Sequence, residues 1–167
     1  LLGSGDFSVH SAHASDMPAV VAEIGRLREI TFRKSGEGTG RAVDLDAFDQ
    51  HYHHLFVWNH RSREVVGAYR IGRTDEILAL KGKSGLYTST LFRLRRDFCA
   101  SVNPALELGR SFVRPEYQRS YQPLLLLWRG LGEYIAANPR YRILFGPVSI
   151  SKGYSPASQA LMVSYLK

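Results

Sequence analysis

The sequence has little cysteine and no long apolar segment. Cys99 is the single thiol among 167 residues, so the chain can form no internal disulfide framework and offers no cysteine pair to a metal ion. The longest run of large apolar side chains, residues 124–128, is five residues long, whereas a membrane-spanning helix needs about 20. These absences favour a protein of a reducing, cytoplasmic compartment and give no sign of a transmembrane segment.

Acidic side chains are also scarce relative to basic ones. The sequence has 15 aspartates and glutamates against 22 lysines and arginines, a net charge of +7 and an isoelectric point near 9.8. A charge of this sign favours an acidic partner. There is no basic tail and no nucleic-acid-binding motif, so no nucleic acid is expected. Peripheral contact with an anionic membrane, binding of an acidic carrier protein and a solvated basic face all remain open.

The order of secondary-structure signals predicts an α/β (α+β) sandwich. Strand, helix, loop, hairpin, mixed segment, strand, helix, strand and helix follow one another, which is typical of a mixed β-sheet flanked by helices on both faces. The strands at 106–113 and 141–150 are joined through a helix and are expected to be parallel neighbours. A further helix is predicted at 90–98. Ser15 or Asp16 is predicted to cap the first helix.

Residues 1–167 are expected to form a single domain, since this length supports one hydrophobic core. The chain begins without methionine and ends within an apolar helical pattern, which predicts a domain taken from a longer protein. At 34–41 the run KSGEGTGR contains three glycines and is predicted to be a flexible loop. It lacks the Gly-Lys-Ser/Thr ending of a nucleotide-binding P-loop.

The stretch 105–118 combines a strand-forming pattern with two opposite charges. Glu107 and Arg110 lie three positions apart in an otherwise apolar segment. In a regular strand such positions point to opposite faces, whereas a bulge at Gly109 re-aims one of them, and bulges are frequent beside active sites. The alternative is a structural ion pair with a charge on a neighbouring strand, such as Arg70. The residues alone leave both interpretations open.

Two aspartates in a short helical segment form another candidate site. Asp46 and Asp49 are three positions apart and would share one helix face as a small anionic site. The alternative is favourable negative charge at a helix N-terminus. His51, His53 and His54 follow, but their spacing matches no standard zinc pattern, so no metal site is expected.

Four motifs in a fixed order carry a resemblance to a known family. They are Arg28 with Phe32, Asp46-Ala-Phe-Asp49, Gly67-Ala-Tyr-Arg70 and Glu107-Leu-Gly-Arg110. This series resembles the acyl-homoserine-lactone synthases, in the branch of the GNAT acyltransferase superfamily that uses acyl carrier protein. The chain is more closely similar to the N-acyl amino acid synthases that make ornithine and glycine lipids. The phrases LREITFR, GEGTGR, ELGRSFV and FGPVSIS resemble proteins labelled hemolysins.

The resemblance implies a bacterial N-acyltransferase of membrane aminolipid synthesis. Such an enzyme moves a long-chain acyl group, in some cases 3-hydroxylated, from an acyl-carrier-protein or acyl-CoA thioester to the amine of an amino acid. Typical GNAT enzymes hold the pyrophosphate of coenzyme A in a glycine-containing loop after the central strand. Here the corresponding residues 118–123 contain no glycine. This departure favours acyl carrier protein as donor and partner, and no tightly bound cofactor is implied.

The resemblance also implies roles for individual residues. Glu107 is expected to take the proton of the amine, while Arg70 and Arg110 orient carboxylates by paired hydrogen bonds. Backbone N–H groups at the bulge are expected to stabilise the charge on the thioester oxygen. The acyl chain is expected to lie between the two parallel strands. The residues expected to bind substrate are Arg28, Phe32, Asp46, Asp49, Phe112, Phe145 and Val148.

Two other classes of function compete with the enzyme. The hemolysin label suggests a lytic, membrane-acting protein, although the sequence has neither a spanning segment nor a clear amphipathic hairpin. The missing glycines at 118–123 suggest a GNAT-like binding module without catalysis. The presence of Glu107 favours the enzyme over this module.

Overall fold

Six strands in chain order form one curled sheet in the computed structural model, which describes residues 1–150 and 153–165. Neighbouring strands pair antiparallel from the first to the fifth, and the sixth pairs parallel to the fifth. The predicted mixed sheet and its predicted parallel pair are therefore confirmed. The strands are β1 (Leu2–Ser4), β2 (Phe7–His13), β3 (His53–Asn59), β4 (Glu64–Arg73), β5 (Ala105–Val113) and β6 (Ile143–Phe145).

Helices cover both faces of this sheet, as predicted. The helices are α1 (Pro18–Lys34), α2 (Thr74–Lys81), α3 (Arg96–Val102), α4 (Tyr121–Ala137) and α5 (Pro156–Tyr165). In β3, Phe56 belongs to the core cluster formed with α1, while its neighbour Val57 belongs to the cluster formed with α4. Because successive strand residues point to opposite faces, the two clusters lie on opposite sides of the sheet. Among the described residues, no helix has the length and apolar character needed to cross a bilayer.

The predicted cap at Ser15 or Asp16 is wrong. Met17 occupies the N-cap position of α1 and makes no side-chain capping bond. The Asp16 carboxylate instead accepts hydrogen bonds within the preceding turn, from the Ser15 hydroxyl (3.1 Å) and the backbone N–H of His13 (3.4 Å). Pro18 then opens the helix, where its missing N–H costs no intrahelical hydrogen bond.

The helix predicted at 90–98 is also wrong. The structure has a 3₁₀ turn at Tyr87–Thr90, and α3 begins only at Arg96. Glu107 accepts hydrogen bonds from both the backbone N–H (2.6 Å) and the hydroxyl of Thr88. This contact with a distant strand fixes the turn, because tertiary contacts routinely override weak helix propensity.

A bulge in β5 changes the direction of the side chains that follow it. Arg70 lies opposite Gly109 in the register of β4 and β5, and Ala68 lies opposite Phe112, so two residues of β5 face one residue of β4. Arg110 has a φ of +52°, a conformation that residues with a Cβ seldom adopt. The predicted bulge is therefore present, but its irregular residue is Arg110 and not Gly109.

The parallel strands β5 and β6 pair over three residues and then separate. Residues 105–107 pair with Ile143–Phe145, and the Gly146-Pro147 sequence follows. A proline cannot donate a hydrogen bond to the ladder, so the pairing stops there. The strand predicted at 141–150 is thus too long at both ends, and Tyr141 instead belongs to the turn after α4. An open cleft begins where the strands part.

Gly146 lies close to β5 at this point of separation. A Cβ at position 146 would collide with the carbonyl oxygen of Leu108, which cannot move without moving the strand. We therefore expect Gly146→Ala to lower the free energy of unfolding by about 1–3 kcal/mol, as overpacking does. Urea unfolding followed by tryptophan fluorescence measures this change.

Gly132→Ala is the matched control for this prediction. Gly132 is exposed on α4, and a Cβ there would meet nothing within 4 Å. Alanine is a better helix former than glycine, so this control is expected to raise stability by about 0.5–1 kcal/mol. The same sign for both substitutions would contradict the steric account of Gly146.

Candidate active site

Three arginines and three aspartates form a charge network on the α1 side of the sheet. Arg28 of α1 donates to both carboxylate oxygens of Asp49 (3.0 and 2.9 Å) and, through Nε, to Asp44 (3.0 Å). All three side chains are almost completely buried. Hydrogen-bonded pairing of this kind offsets the cost of removing charges from water only while every partner is present.

Arg70 joins this network from β4 and is held from several directions. Its Nη1 lies 2.7 Å from the carboxylate of Asp46 and 3.2 Å from that of Asp49. The side chain is 1% exposed, so in this conformation a substrate does not reach it. The guanidinium also lies near three aromatic rings, those of Phe48, Tyr52 and Tyr87, at 5.8, 5.2 and 5.0 Å from their centroids. The Arg70 side chain is thus held in one position by two carboxylates and lies among three aromatic rings.

Arg110 is the arginine of this network that reaches the cleft. Its side chain is 25% exposed, against 1% for Arg28 and Arg70. Its Nε lies 3.4 Å from the Asp44 carboxylate, and its Nη2 lies 3.8 Å from the Asp46 carboxylate. These pairings are looser than those of the buried arginines, so the guanidinium retains N–H groups for a bound anion.

Asp46 and Asp49 cap a turn and are neutralised by arginines. The Asp46 carboxylate accepts two backbone N–H groups at the start of the 3₁₀ turn Ala47–Gln50, and Asp49 accepts the N–H of Asp46 (2.8 Å). Burial alone would raise the pKa of Asp49, but hydrogen bonds from Arg28 and the charges of Arg28 and Arg70 outweigh it and hold that pKa below its ordinary value. The carboxylates of Asp46 and Asp49 are therefore already paired within the protein and do not form an anionic site that is free to bind a ligand. In the described part of the chain, no group of three or more His, Cys, Asp or Glu side chains is arranged to hold a metal ion.

Glu107 is buried, and each of its carboxylate oxygens accepts two hydrogen bonds. Oε2 accepts the Tyr52 hydroxyl and the Tyr87 N–H (3.2 Å), and Oε1 accepts the hydroxyl and the N–H (2.6 Å) of Thr88. Burial and the negative charge of Glu107 raise the pKa of the Tyr52 hydroxyl, which therefore stays a donor. Glu107 is 1% exposed and does not line the cleft. The structure thus places the predicted base where it anchors a turn to β5.

The cleft has a volume of about 730 Å³, within the roughly 300–1,000 Å³ typical of small-molecule sites. Three of the residues predicted to bind substrate, Phe32, Phe145 and Val148, line it together with Arg110. Phe112 does not, because it packs in the core on the α1 side of the sheet, beyond the bulge. Other lining residues, not predicted from the sequence, are Glu37, Tyr69, Tyr87, Leu91 and Trp128.

Glu29, which was not predicted from the sequence, anchors the loop at 36–41. This buried carboxylate on α1 accepts hydrogen bonds from the N–H and the hydroxyl of Thr39 (2.8 and 2.6 Å) and from the N–H of Gly40 (2.9 Å). The Thr39 hydroxyl bond, helped by Arg33 and opposed by burial, lowers the pKa of Glu29 to about 2. The sequence signal that could have revealed Glu29 was an acidic residue on the buried face of an amphipathic helix. The loop predicted to be flexible is therefore anchored.

The anchored loop places Glu37 at the wall of the cleft. The Glu37 carboxylate accepts a hydrogen bond from the hydroxyl of Ser149 (3.0 Å), in the chain that follows β6. Both residues line the cleft. Among the cleft-lining residues in the described part of the chain, Glu37 is the one with a carboxylate.

Residues 27–129 match the family model of the acetyltransferase (GNAT) domain. This range extends from α1 to the middle of α4 and contains the whole charge network and the bulge of β5. The chain belongs to the GNAT acetyltransferase family. The predicted family and fold class are confirmed.

Curated relatives of this chain include proteins named as N-acyltransferases. The chain is 37% identical to a glycine N(alpha)-acyltransferase of Phocaeicola vulgatus, over 90% of this chain and 50% of the relative. It is 38% identical to a protein of the same name from Bacteroides thetaiotaomicron, over 90% and 48%. It is 33% identical to an L-ornithine N(alpha)-acyltransferase of Brucella abortus, over 74% and 44%. The chain spans about half the length of the curated relatives it matches.

Solved GNAT-fold structures similar to this chain include two acyl-homoserine lactone synthases. LasI superimposes with a TM-score of 0.61 at 14% identity, over 95% of this chain and 77% of that protein. The CoA-dependent synthase BjaI superimposes with a TM-score of 0.57 at 16% identity, over 82% and 64%. At these identities the similarity shows a shared fold.

Proposed function

We propose that this GNAT domain is an N-acyltransferase that moves an acyl group from a thioester to the amine of an amino acid. The observation that carries the proposal is the cleft between β5 and β6, whose apolar wall includes Phe145 and Val148 and whose polar wall includes Arg110. An acyl chain fits the first wall and a carboxylate the second. The names of the relatives support an amino acid acceptor. Glycine is the acceptor we favour, because the relatives named for it share 37–38% identity against 30–33% for those named for ornithine.

The bulge supplies the chemistry that this transfer requires. The amine attacks the thioester carbon, a C–N bond forms, the C–S bond breaks and the sulfur leaves as a thiol. Negative charge develops on the thioester oxygen, and fixed N–H groups stabilise it. Arg110 and Ser111 have no partner on β4 in the register of the two strands, and both line the cleft. Their backbone N–H groups are therefore the proposed donors. The Arg110 side chain would hold the carboxylate of the acceptor.

An acyl carrier protein is the donor we favour over acyl-CoA. The start of α4, where a pyrophosphate could bind, offers few free donors: the Ser120 hydroxyl accepts the N–H of Gln122 (3.3 Å), and Pro123 has no N–H. An acyl group bound to a carrier protein presents no free pyrophosphate. Such a donor therefore loses less binding energy than acyl-CoA where few N–H donors are free. A long-chain donor, with or without a 3-hydroxyl group, and a product used in membrane aminolipid synthesis complete the proposal.

Release of free thiol tests this proposal. We expect thiol release when the domain, alone and within its full-length protein, receives a long-chain acyl carrier protein or acyl-CoA together with glycine or ornithine. Arg110→Gln is expected to lower kcat/KM for the acceptor by about 10- to 100-fold, because it removes a charge-assisted hydrogen bond. Arg61→Gln, at an exposed arginine in the turn between β3 and β4 that does not line the cleft, is the matched control.

Two outcomes would contradict the proposal. Absence of acceptor-dependent thiol release with every donor and acceptor would favour a non-catalytic GNAT-like module. Leakage of liposomes in the absence of any acyl donor would favour a lytic protein.

A further inference from the structure

We propose that Glu37 binds the ammonium group of the acceptor amino acid and takes its proton before attack. This inference rests on the proposed N-acyltransferase function and adds a binding residue and a base to it. A base is needed because Glu107 is buried, accepts four hydrogen bonds and does not line the cleft. Glu37 is exposed and does line it.

The role of Glu37 is supported first by the hydrogen bonds that fix the loop carrying it. Glu29 is a buried carboxylate whose hydrogen bonds fix Thr39 and Gly40, two and three residues beyond Glu37. Gly36, immediately before Glu37, has a φ of +78°, which favours glycine. Burial of a carboxylate is costly unless it is fully hydrogen-bonded. The chain thus uses a buried charge to hold a short loop whose exposed acid faces the cleft.

The second support is charge complementarity across the cleft. An α-amino acid near neutral pH is a zwitterion, with a carboxylate and an ammonium group bonded to the same carbon atom. Arg110 offers N–H donors to the carboxylate, and Glu37 offers acceptor oxygens to the ammonium group. The hydroxyl of Ser149 donates to Glu37 and orients its carboxylate. The two charged walls fit a small zwitterion better than a neutral amine or a simple carboxylic acid.

The proton balance of the reaction is consistent with this role. Glu37 takes one proton from the ammonium group, which leaves a neutral amine with a free electron pair. The amine attacks the thioester carbon, the C–S bond breaks, and the second nitrogen proton ends on the departing sulfur. Glu37 then releases its proton to water. The net products are an amide, a thiol and one proton, and no other reactant is required.

Kinetics of Glu37→Gln, with Glu133→Gln as control, test this inference. Glu133 is an exposed acid on α4 that does not line the cleft. We expect Glu37→Gln to raise KM for glycine or ornithine about tenfold or more and to lower kcat about 100-fold or more. KM for the acyl donor should not change. Glu37→Asp, which keeps the carboxylate, should restore part of the lost activity.

Calorimetric binding of the free amino acid gives a readout that does not need turnover. Binding to the parent protein that is lost in Glu37→Gln but kept in Glu133→Gln supports the inference even if no donor is found. Glycolate, which lacks the ammonium group, should bind the parent and Glu37→Gln equally. Equal amino acid binding by parent and Glu37→Gln, or binding by neither, would overturn the role of Glu37. Thiol release with unchanged acceptor KM in Glu37→Gln would overturn it while leaving the N-acyltransferase intact.

Discussion

Replacing Arg28 with methionine is expected to lower the free energy of unfolding by about 3–5 kcal/mol. The substitution keeps the length of the side chain but leaves the carboxylates of Asp44 and Asp49 buried without their shared partner. Arg70 and Arg110 remain, but the network then holds three carboxylates against two arginines. An uncompensated buried charge costs far more than the lost pair was worth. Urea unfolding measures the effect. We expect the midpoint to fall, while the slope of the free energy of unfolding against urea concentration stays unchanged.

Arg26→Met is the control for this prediction, on the same helix. Arg26 pairs with Glu23 at 2.7 Å, but the two side chains are 48% and 38% exposed. Exposed pairs contribute about 0–1 kcal/mol. Comparable losses in the two variants would mean that the charge network adds nothing beyond an ordinary surface pair.

Replacing Glu107 with glutamine is expected to lower both stability and acyl transfer. The amide places an NH₂ group where one carboxylate oxygen was, and that oxygen faces a backbone N–H of either Tyr87 or Thr88. Two donors cannot pair, so this hydrogen bond is lost at a cost of about 1–3 kcal/mol. The cost is nearer the lower figure at Tyr87, whose N–H also donates to the Tyr52 hydroxyl oxygen (2.9 Å). Because Tyr87 lines the cleft, we expect acceptor KM to rise together with the fall in thermal midpoint.

The same variant separates two roles for Glu107. A general base would lose kcat by about 100-fold or more with the thermal midpoint unchanged, whereas an anchor of the turn loses stability first. Tyr52→Phe removes a single donor to Glu107 and leaves the carboxylate in place. Its stability loss should be smaller, about 0.5–1.5 kcal/mol. An unchanged midpoint with lost kcat in Glu107→Gln would restore the role expected from the sequence.

Much of the fold could be predicted because it follows from local patterns. The alternation of β-forming residues and the helix linking the last two strands were sufficient for the mixed sheet and its parallel pair. The errors arose where distant groups decide the backbone. The turn at Tyr87–Thr90 depends on Glu107, and the packing of Phe112 follows from a bulge whose exact residue no local signal reveals.

The candidate site was predicted in part for the same reason. The motifs containing Arg28, Asp49 and Arg70 were recognised, and the structure brings these residues together. Their spacing could not show which arginine stays exposed, since that depends on the left-handed conformation of Arg110. Nor could the composition of a glycine-rich loop show that Glu29 anchors it, because that contact joins a helix face to residues ten positions away.

The attachment of this loop has a consequence for the diversification of such enzymes. Residues 36–41 are held to α1 by the carboxylate of Glu29, the guanidinium of Arg33 and the carbonyl of Phe32. The sheet and its charge network are built from other segments. The loop is therefore a separable module, and its sequence can vary as long as Glu29 and its partners are kept. Under the proposed role of Glu37, exchange of this short segment is expected to change the choice of acceptor without rebuilding the protein that carries it.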